Sequence, residues 1–375
     1  MSFEIPFIRP VFPDPSEIAQ DFSDIVRSNW YTNFGPQERE FSRDLEAYVG
    51  RDLHAITFNN ATTALIAALT CRLGRGDGSA HVLIPSFTFA AGAEAIEWAG
   101  YRPLFVDIDR SSLQPSIVEA SDLLEQGDRV IAGILLCNTF GISNANLGKW
   151  ELLAEQYGVP LIVDSAAGFG STDVLGVPLG GGGDCEIFSF HATKPFAVGE
   201  GGVAFTRDPE LAESLRSFQN FGFRGVLGST SPGMNGKLQE INAAIGRRQL
   251  RAFRETIDLR QAVLARYVAG LDPVHFVFPT GIEHSSVCFA SVMLDNRELR
   301  DTALAALKEN GVEARAYYSP ALHRQPQFES VPRSSALAIT EEVGSRIVSL
   351  PVHTRMTDPE VDSVISVLSR KRARQ

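Results

Sequence analysis

The sequence predicts an α/β protein, with a large three-layer αβα unit on a mixed, mostly parallel sheet and a smaller α/β unit towards the C-terminus. Three observations predict it. Between residues 54 and 206, short apolar runs alternate with helical segments, the pattern of parallel strands joined by crossover helices. After Thr206 this gives way to a long helical stretch, then to short strands mixed with helices. The length of 375 residues exceeds one ordinary core. It suits a large domain over residues 1–250 and a small one over 251–375.

Strands are expected at 55–58, 82–84, 103–106, 130–136, 160–163, 186–190 and 202–206, short runs dominated by apolar, β-branched and aromatic residues. Helices over 62–73, 90–99 and 147–157 fall between them. A helix at 209–218 then leads through a Gly/Ser-rich loop, 225–236, to a long helix over 238–269. The small unit has expected strands at 276–278 and 288–293 and helices at 297–310 and 359–368. Near the start, Trp30-Tyr31-Thr32-Asn33-Phe34-Gly35-Pro36 reads as an arm laid over another surface. Ligands of such open sheets lie at the carboxyl ends of the strands, so the residues just after each run are the ones to inspect.

Composition narrows the partners. With 34 basic against 45 acidic residues the net charge is −11, which argues against nucleic acid. The one basic run, Arg370-Lys371-Arg372-Ala373-Arg374, reads as a solvated tail. Cys71, Cys137, Cys185 and Cys288 form no CxxC pair, and a chain of this size needs no disulfide staples, so a reducing cytoplasm is the expected location. The first residues lack a basic flank followed by an apolar run, and no stretch reaches the length of a membrane span.

The five lysines are Lys149, Lys194, Lys237, Lys308 and Lys371. Lys194 stands apart, because it follows the apolar run Ile187-Phe188-Ser189-Phe190 and precedes Gly199-Glu200-Gly201-Gly202. A lysine held against apolar groups loses solvation of its charged form, which favours a nucleophilic amine. A lone loop lysine is ordinarily a surface residue. Asp164 ends the run Leu161-Ile162-Val163 and could cap the next helix, or hold the protonated ring nitrogen of a pyridoxal cofactor. At Asn59-Asn60-Ala61-Thr62-Thr63 a strand enters a helix whose first N–H groups and hydroxyls suit either an N-cap or a phosphate site. Phe89 follows another strand and could stack on a ring or fill the core. The Gly180–Gly183 run is no strand-to-helix GxGxxG, so it does not mark a dinucleotide site.

Taken together these strings resemble the DegT/DnrJ/StrS family of sugar aminotransferases, which have the aspartate-aminotransferase fold. The resemblance runs from about Asn33 to Leu368, and its parts come in the family's order. They are Asn60-Ala61-Thr62-Thr63-Ala64-Leu65, Pro85-Ser86-Phe87-Thr88-Phe89 and Phe105-Val106-Asp107-Ile108-Asp109. Then follow Asp164-Ser165-Ala166-Ala167, Ser189-Phe190-His191-Ala192-Thr193-Lys194, and Gly233-Met234-Asn235 with Leu238-Gln239-Glu240-Ile241-Asn242.

The resemblance implies a pyridoxal 5′-phosphate (PLP) enzyme in which Lys194 is the Schiff-base lysine and Asp164 holds the pyridine nitrogen. Phe89 would stack on the ring, and Ala61, Thr62 and Ser189 would bind the phosphate. Asn235 would reach that phosphate from a neighbouring subunit, making a homodimer part of the site. His323 falls in a segment that borders substrate in relatives, and Arg224, Lys237 or Arg315 would meet the diphosphate of a nucleotide. The implied substrates are an amino-acid donor, glutamate, and a dTDP-4-keto-6-deoxyhexose; a 3-keto sugar or an aminocyclitol is the alternative acceptor. The 3-dehydratase relatives replace the lysine with histidine, so the lysine here favours transamination over dehydration. It also weighs against a non-catalytic regulatory protein of the same fold. Two departures stand out: Ala167 where many relatives carry His or Gln against the ring, and Pro195 where Asn often follows the lysine.

Overall fold

The computed structural model describes residues 3–50 and 52–372. Of the basic C-terminal run read as a tail, residues 370–372 end the last helix and residues 373–374 lie outside the described residues. Seven strands form one sheet: β1 His54–Phe58, β2 His81–Pro85, β3 Arg102–Val106, β4 Ile131–Cys137, β5 Leu161–Asp164, β6 Cys185–Ser189 and β7 Gly202–Thr206. Their spatial order is β1-β7-β6-β5-β4-β2-β3. Only β7 runs against its neighbours. The sequence foresaw all seven strands and the mixed sheet.

Each strand sends alternate side chains to opposite faces, and both faces are apolar. Val82, Ile84, Leu135 and Ile162 join one buried cluster with the helices Ala61–Leu73, Ala90–Trp98 and Pro209–Phe218. Leu83, Ile134, Leu136 and Val163 pack against the helices Ile117–Gln126 and Leu147–Tyr157 on the other face. A third cluster, rich in phenylalanine, holds Phe41, Phe169, Phe190, Phe196 and Phe253. The smaller unit is built around β8 (Ala290–Met293) antiparallel to β9 (Ile347–Leu350). Ile5 and Phe7 belong to the core of that unit.

Several elements differ from expectation. The helix expected over 238–269 is two, Glu240–Arg251 and Phe253–Gly270, because the chain bends at Ala252 and turns Phe253 into the aromatic cluster. The strand expected at 276–278 shrinks to one bridge between Val277 and Met293. β9 was not foreseen; its apolar run Ile347-Val348 directly continues a helix ending at Arg346. The segment read as an arm joins two helices, Pro15–Ser28 and Pro36–Val49, and the first opens with a capping box from Asp14 and Glu17.

The chain returns from the small unit to clasp the large one. Phe105 N–H donates to Pro332 O (3.0 Å) and Ser334 N–H to Phe105 O (2.8 Å). Two residues on, the buried Asp107 carboxylate accepts from Ile339 N (2.9 Å), Thr340 N (2.7 Å) and Thr340 Oγ1 (2.7 Å). It thus caps the helix Ala338–Arg346 from the end of β3. Replacing Asp107 by Ala strands these donors, and should lower stability by about 2–4 kcal/mol in urea unfolding, with Asp107→Asn retaining part of it.

Candidate active site

The carboxyl ends of β4, β5 and β6 and the start of the helix Ala61–Leu73 open into one cavity of about 640 Å³. Its lining includes Lys194, Asp164, Ala61, Thr62, Phe89 and Ser189, six positions separated by up to 133 residues in sequence (194 − 61). The sheet gathers them, because parallel strands present all their carboxyl ends along one edge.

Asp164 is the last residue of β5, level with Cys137 of β4 and Ile187 of β6. Its Oδ1 accepts from Ala166 N–H at 3.0 Å. Burial raises its carboxyl above the usual range, while the Ala166 N–H and the nearby Lys194 pull it back down. Behind it a second carboxylate fixes the strand ends. The buried Glu186 accepts from Ser165 Oγ (2.5 Å), Gly180 N (2.7 Å) and Gly182 N (2.9 Å). The glycine run therefore serves to wrap Glu186.

Lys194 sits in a loop pinned at both ends. Phe190 N–H donates to Gly201 O and Ala192 N–H to Gly199 O, both at 2.8 Å. Phe190 and Phe196, on either side of the lysine, are both buried, with ring centroids 4.8 Å apart in edge-to-face contact. Asn242 Nδ2 holds the loop's return by donating to Val198 O (2.9 Å) and Glu200 O (3.1 Å). Lys194 Nζ makes no hydrogen bond or ion pair among the described residues.

The helix start is arranged for an anion. Asn60 Oδ1 takes the Thr63 N–H at 2.8 Å, leaving the first-turn N–H groups of Ala61 and Thr62 without an intrahelical acceptor. Gly202 of β7 passes directly beneath: a Cβ there would lie 2.7 Å from Ala61 N. Thr139 Oγ1 is buried on the cavity wall with no protein partner. A lysine, a carboxylate, an anion-binding helix start and an unpaired hydroxyl around one cavity fit an anionic aromatic aldehyde such as PLP.

The chain belongs to the DegT/DnrJ/EryC1/StrS aminotransferase family. The family's sequence profile matches residues 14–369. A Mycobacterium tuberculosis protein, Rv3402c, is 47% identical over 374 residues, covering 99% of this chain and 91% of the relative. An Escherichia coli dTDP-4-amino-4,6-dideoxy-D-glucose transaminase is 27% identical, covering 98% of each. The structure of DesI with its TDP-sugar product superimposes with a TM-score of 0.87 at 31% identity, over 100% of this chain and 97% of that one. This is a PLP-dependent aminotransferase.

Five sequence-derived candidates lie apart from the reacting groups, or are already engaged. His323 is not on the cavity wall: it is 3% exposed, with Nδ1 at 2.6 Å from Ser86 Oγ and Nε2 against Glu341. Burial pushes its imidazole below the usual range, and Glu341 opposes this. It ties the 320s segment to the end of β2. Lys237 is buried, donating to Asn220 Oδ1 (3.2 Å) with Nζ 4.8 Å from the centre of the Phe221 ring, and its burial lowers its pKa. Arg224 is exposed on a loop outside the cavity, donating to Ser214 Oγ. Arg315 does line the cavity, but it is paired with Glu313 (2.9 Å) and donates to the Tyr317 hydroxyl (2.5 Å). Asn235, assigned to a neighbour's site, lies outside the cavity of its own chain, where its carbonyl accepts from Asn59 Nδ2 at 3.4 Å.

Sequence reasoning passed over Asn138, Thr139, Phe140, Phe289 and Tyr318, all on the cavity wall. Asn138 and Thr139 directly follow β4, so the strand-end rule was a signal for them. Phe289 and Tyr318 come from the small unit and carried none. Phe140 stacks on Tyr318 (5.4 Å) and meets Phe289 edge-on (5.2 Å), closing one side with apolar surface.

Lys194→Ala should abolish both turnover and covalent retention of PLP, checked by borohydride reduction and mass spectrometry of the protein. Asp164→Ala should bind PLP more weakly and lower kcat by roughly two orders of magnitude or more, the usual scale for a lost electrostatic partner. A rate within threefold of wild type would remove Asp164 from the ring-nitrogen role.

Proposed function

We propose that this aminotransferase transfers an amino group from an amino acid, glutamate, to a nucleotide-linked keto-sugar. The acceptor is dTDP-4-keto-6-deoxyglucose and the product dTDP-4-amino-4,6-dideoxyglucose, in deoxyamino-sugar biosynthesis. The observation that carries this reading is the pairing of Lys194 and Asp164 across one cavity that also holds the free helix start. The name of the Escherichia coli relative supports a dTDP sugar and amination at C4, and the TDP-sugar product of the DesI complex supports the nucleotide.

Bound PLP supplies an electron sink for the carbon that loses a proton. Asp164 keeps the ring nitrogen protonated, a task suited to a carboxylate shielded from bulk water and stabilised by the Ala166 N–H. Ala61 and Thr62 N–H groups, with Ser189, anchor the phosphate. Phe89, at the cavity wall just before the helix Ala90–Trp98, covers one ring face. With PLP bound, Lys194 would move the proton as general base and acid. Phe140, Phe289 and Tyr318 keep water from that proton.

The reading includes a homodimer with shared sites. Phe221, Phe223 and Val226 are exposed on the loop that leads to Asn235, as are Trp30 and Tyr31 on the N-terminal segment, apolar surface of a kind that interfaces cover. Asn235 of the partner subunit would complete the phosphate site, and the exposed Arg224 of that subunit would face the nucleotide diphosphate.

Glutamate added to the PLP form should bleach its visible absorption. Subsequent dTDP-4-keto-6-deoxyglucose should restore it and yield a sugar whose amine NMR places at C4. An amine at C3, or restoration only by a ketocyclitol, would redirect the assignment. For the shared site, Lys194→Ala and Asn235→Asp variants, each inactive alone, should regain about a quarter of wild-type activity when mixed and reassociated, as one intact site forms in each heterodimer. No recovery, with subunit exchange confirmed by mass, would place Asn235 outside the partner's site.

A further inference from the structure

Beside the active cavity lies a second, smaller one of about 30 Å³ that shares Thr193, Lys194 and Cys288 with it. Its walls come from the N-terminal segment through Arg9, the lysine loop, the helix Phe253–Gly270 through Arg260, and the turn after β9 through His353. Four basic side chains, Arg9, Lys194, Arg260 and His353, converge there, and neither Asp nor Glu is among the lining residues.

Their hydrogen bonding is incomplete. Arg260 is buried and donates from Nε to Val287 O (2.8 Å) and from Nη2 to Cys288 O (2.9 Å), while Nη1 makes no hydrogen bond. Arg9 and Lys194 have no ion pair among the described residues. His353 is 1% exposed, and neither Nδ1 nor Nε2 has a partner among the described residues. Buried polar groups are almost always satisfied, so a histidine with two unmet ring nitrogens on a cavity wall points to something that meets them. Burial first, and then Arg9 and Arg260, push this imidazole down to about 4, with Glu360 opposing. The surroundings carry surplus positive charge.

We propose that this cavity binds a small inorganic monovalent anion of halide size, held by Arg9, Arg260 and His353 beside Lys194. A cation is excluded by the charges that face it. A cavity of about 30 Å³ admits only one or two water-sized groups, too few for a phosphate. Water could bridge the ring nitrogens but would bring no counter-charge to the buried Arg260, whose charge no carboxylate among the described residues offsets. A halide accepts from every donor present, and lets His353 take a proton as a further donor.

The test is a crystal of the holoenzyme grown in sodium bromide, with diffraction recorded at the bromine edge. An anomalous peak in contact with the His353 ring and Arg260 Nη1 is expected. In solution, Tm in sodium chloride should exceed that in sodium gluconate of equal ionic strength by roughly 2–5 °C, the scale for a ligand well above its Kd. His353→Phe, which fills the space without a ring nitrogen, and Arg9→Gln should each erase that difference. Bromide found only at other positions, a light-atom peak alone at this one, or equal Tm in both salts would overturn the proposal. Should His353→Phe fail to fold, Arg9→Gln on the partly exposed N-terminal segment decides it: a retained chloride effect there rules the site out.

Discussion

A carboxylate at the shielded end of a central strand is the constraint around which the site is organised. Asp164 can be useful to a ring nitrogen only if it stays ionised away from bulk water, and burial alone works against that. Two neighbours offset the cost: the Ala166 N–H at 3.0 Å and the positive charge of Lys194. The lysine's charge thus offsets part of the cost of burying the carboxylate before any ligand arrives.

The sheet repeats this solution one layer back. Glu186 is fully buried, and the Gly180–Gly183 turn exists in a form that aims two N–H groups at it, with Ser165 Oγ as a further donor. Asn138 closes the network by donating to Ser165 Oγ at 2.7 Å while its own N–H donates to Asp164 O. Satisfied buried networks of this kind are stiff, so the ends of β4, β5 and β6 hold a fixed spacing. The lysine loop is rigid for a different reason: its flanking phenylalanines are embedded in an aromatic cluster. Reacting groups are therefore held by polar satisfaction on one side and by packing on the other.

The small unit completes the enclosure. Asp107 caps a helix of that unit, and the 330s segment hydrogen-bonds to the outer strand β3 at Phe105. These contacts bring Tyr318 and Phe289 over the cavity, where they meet Phe140. His323 belongs to this clasp through Ser86 and Glu341, which is why a residue in a substrate-bordering segment turns out to be turned away from the cavity.

The sequence by itself determined the seven-stranded sheet, because every strand is a short apolar run whose two faces must both be covered. It also singled out Lys194, Asp164 and the Ala61–Thr62 helix start, since strand ends in an open sheet are where ligands are met and few residue types there can carry this chemistry. Only the tertiary structure decided which groups close the cavity and which are spent elsewhere. Phe289 and Tyr318 reach the site, and His323 and Lys237 are committed to Glu341 and Asn220, through contacts between residues distant in the chain. Burial and pairing of that sort depend on how two units dock, and no local pattern of residues records it.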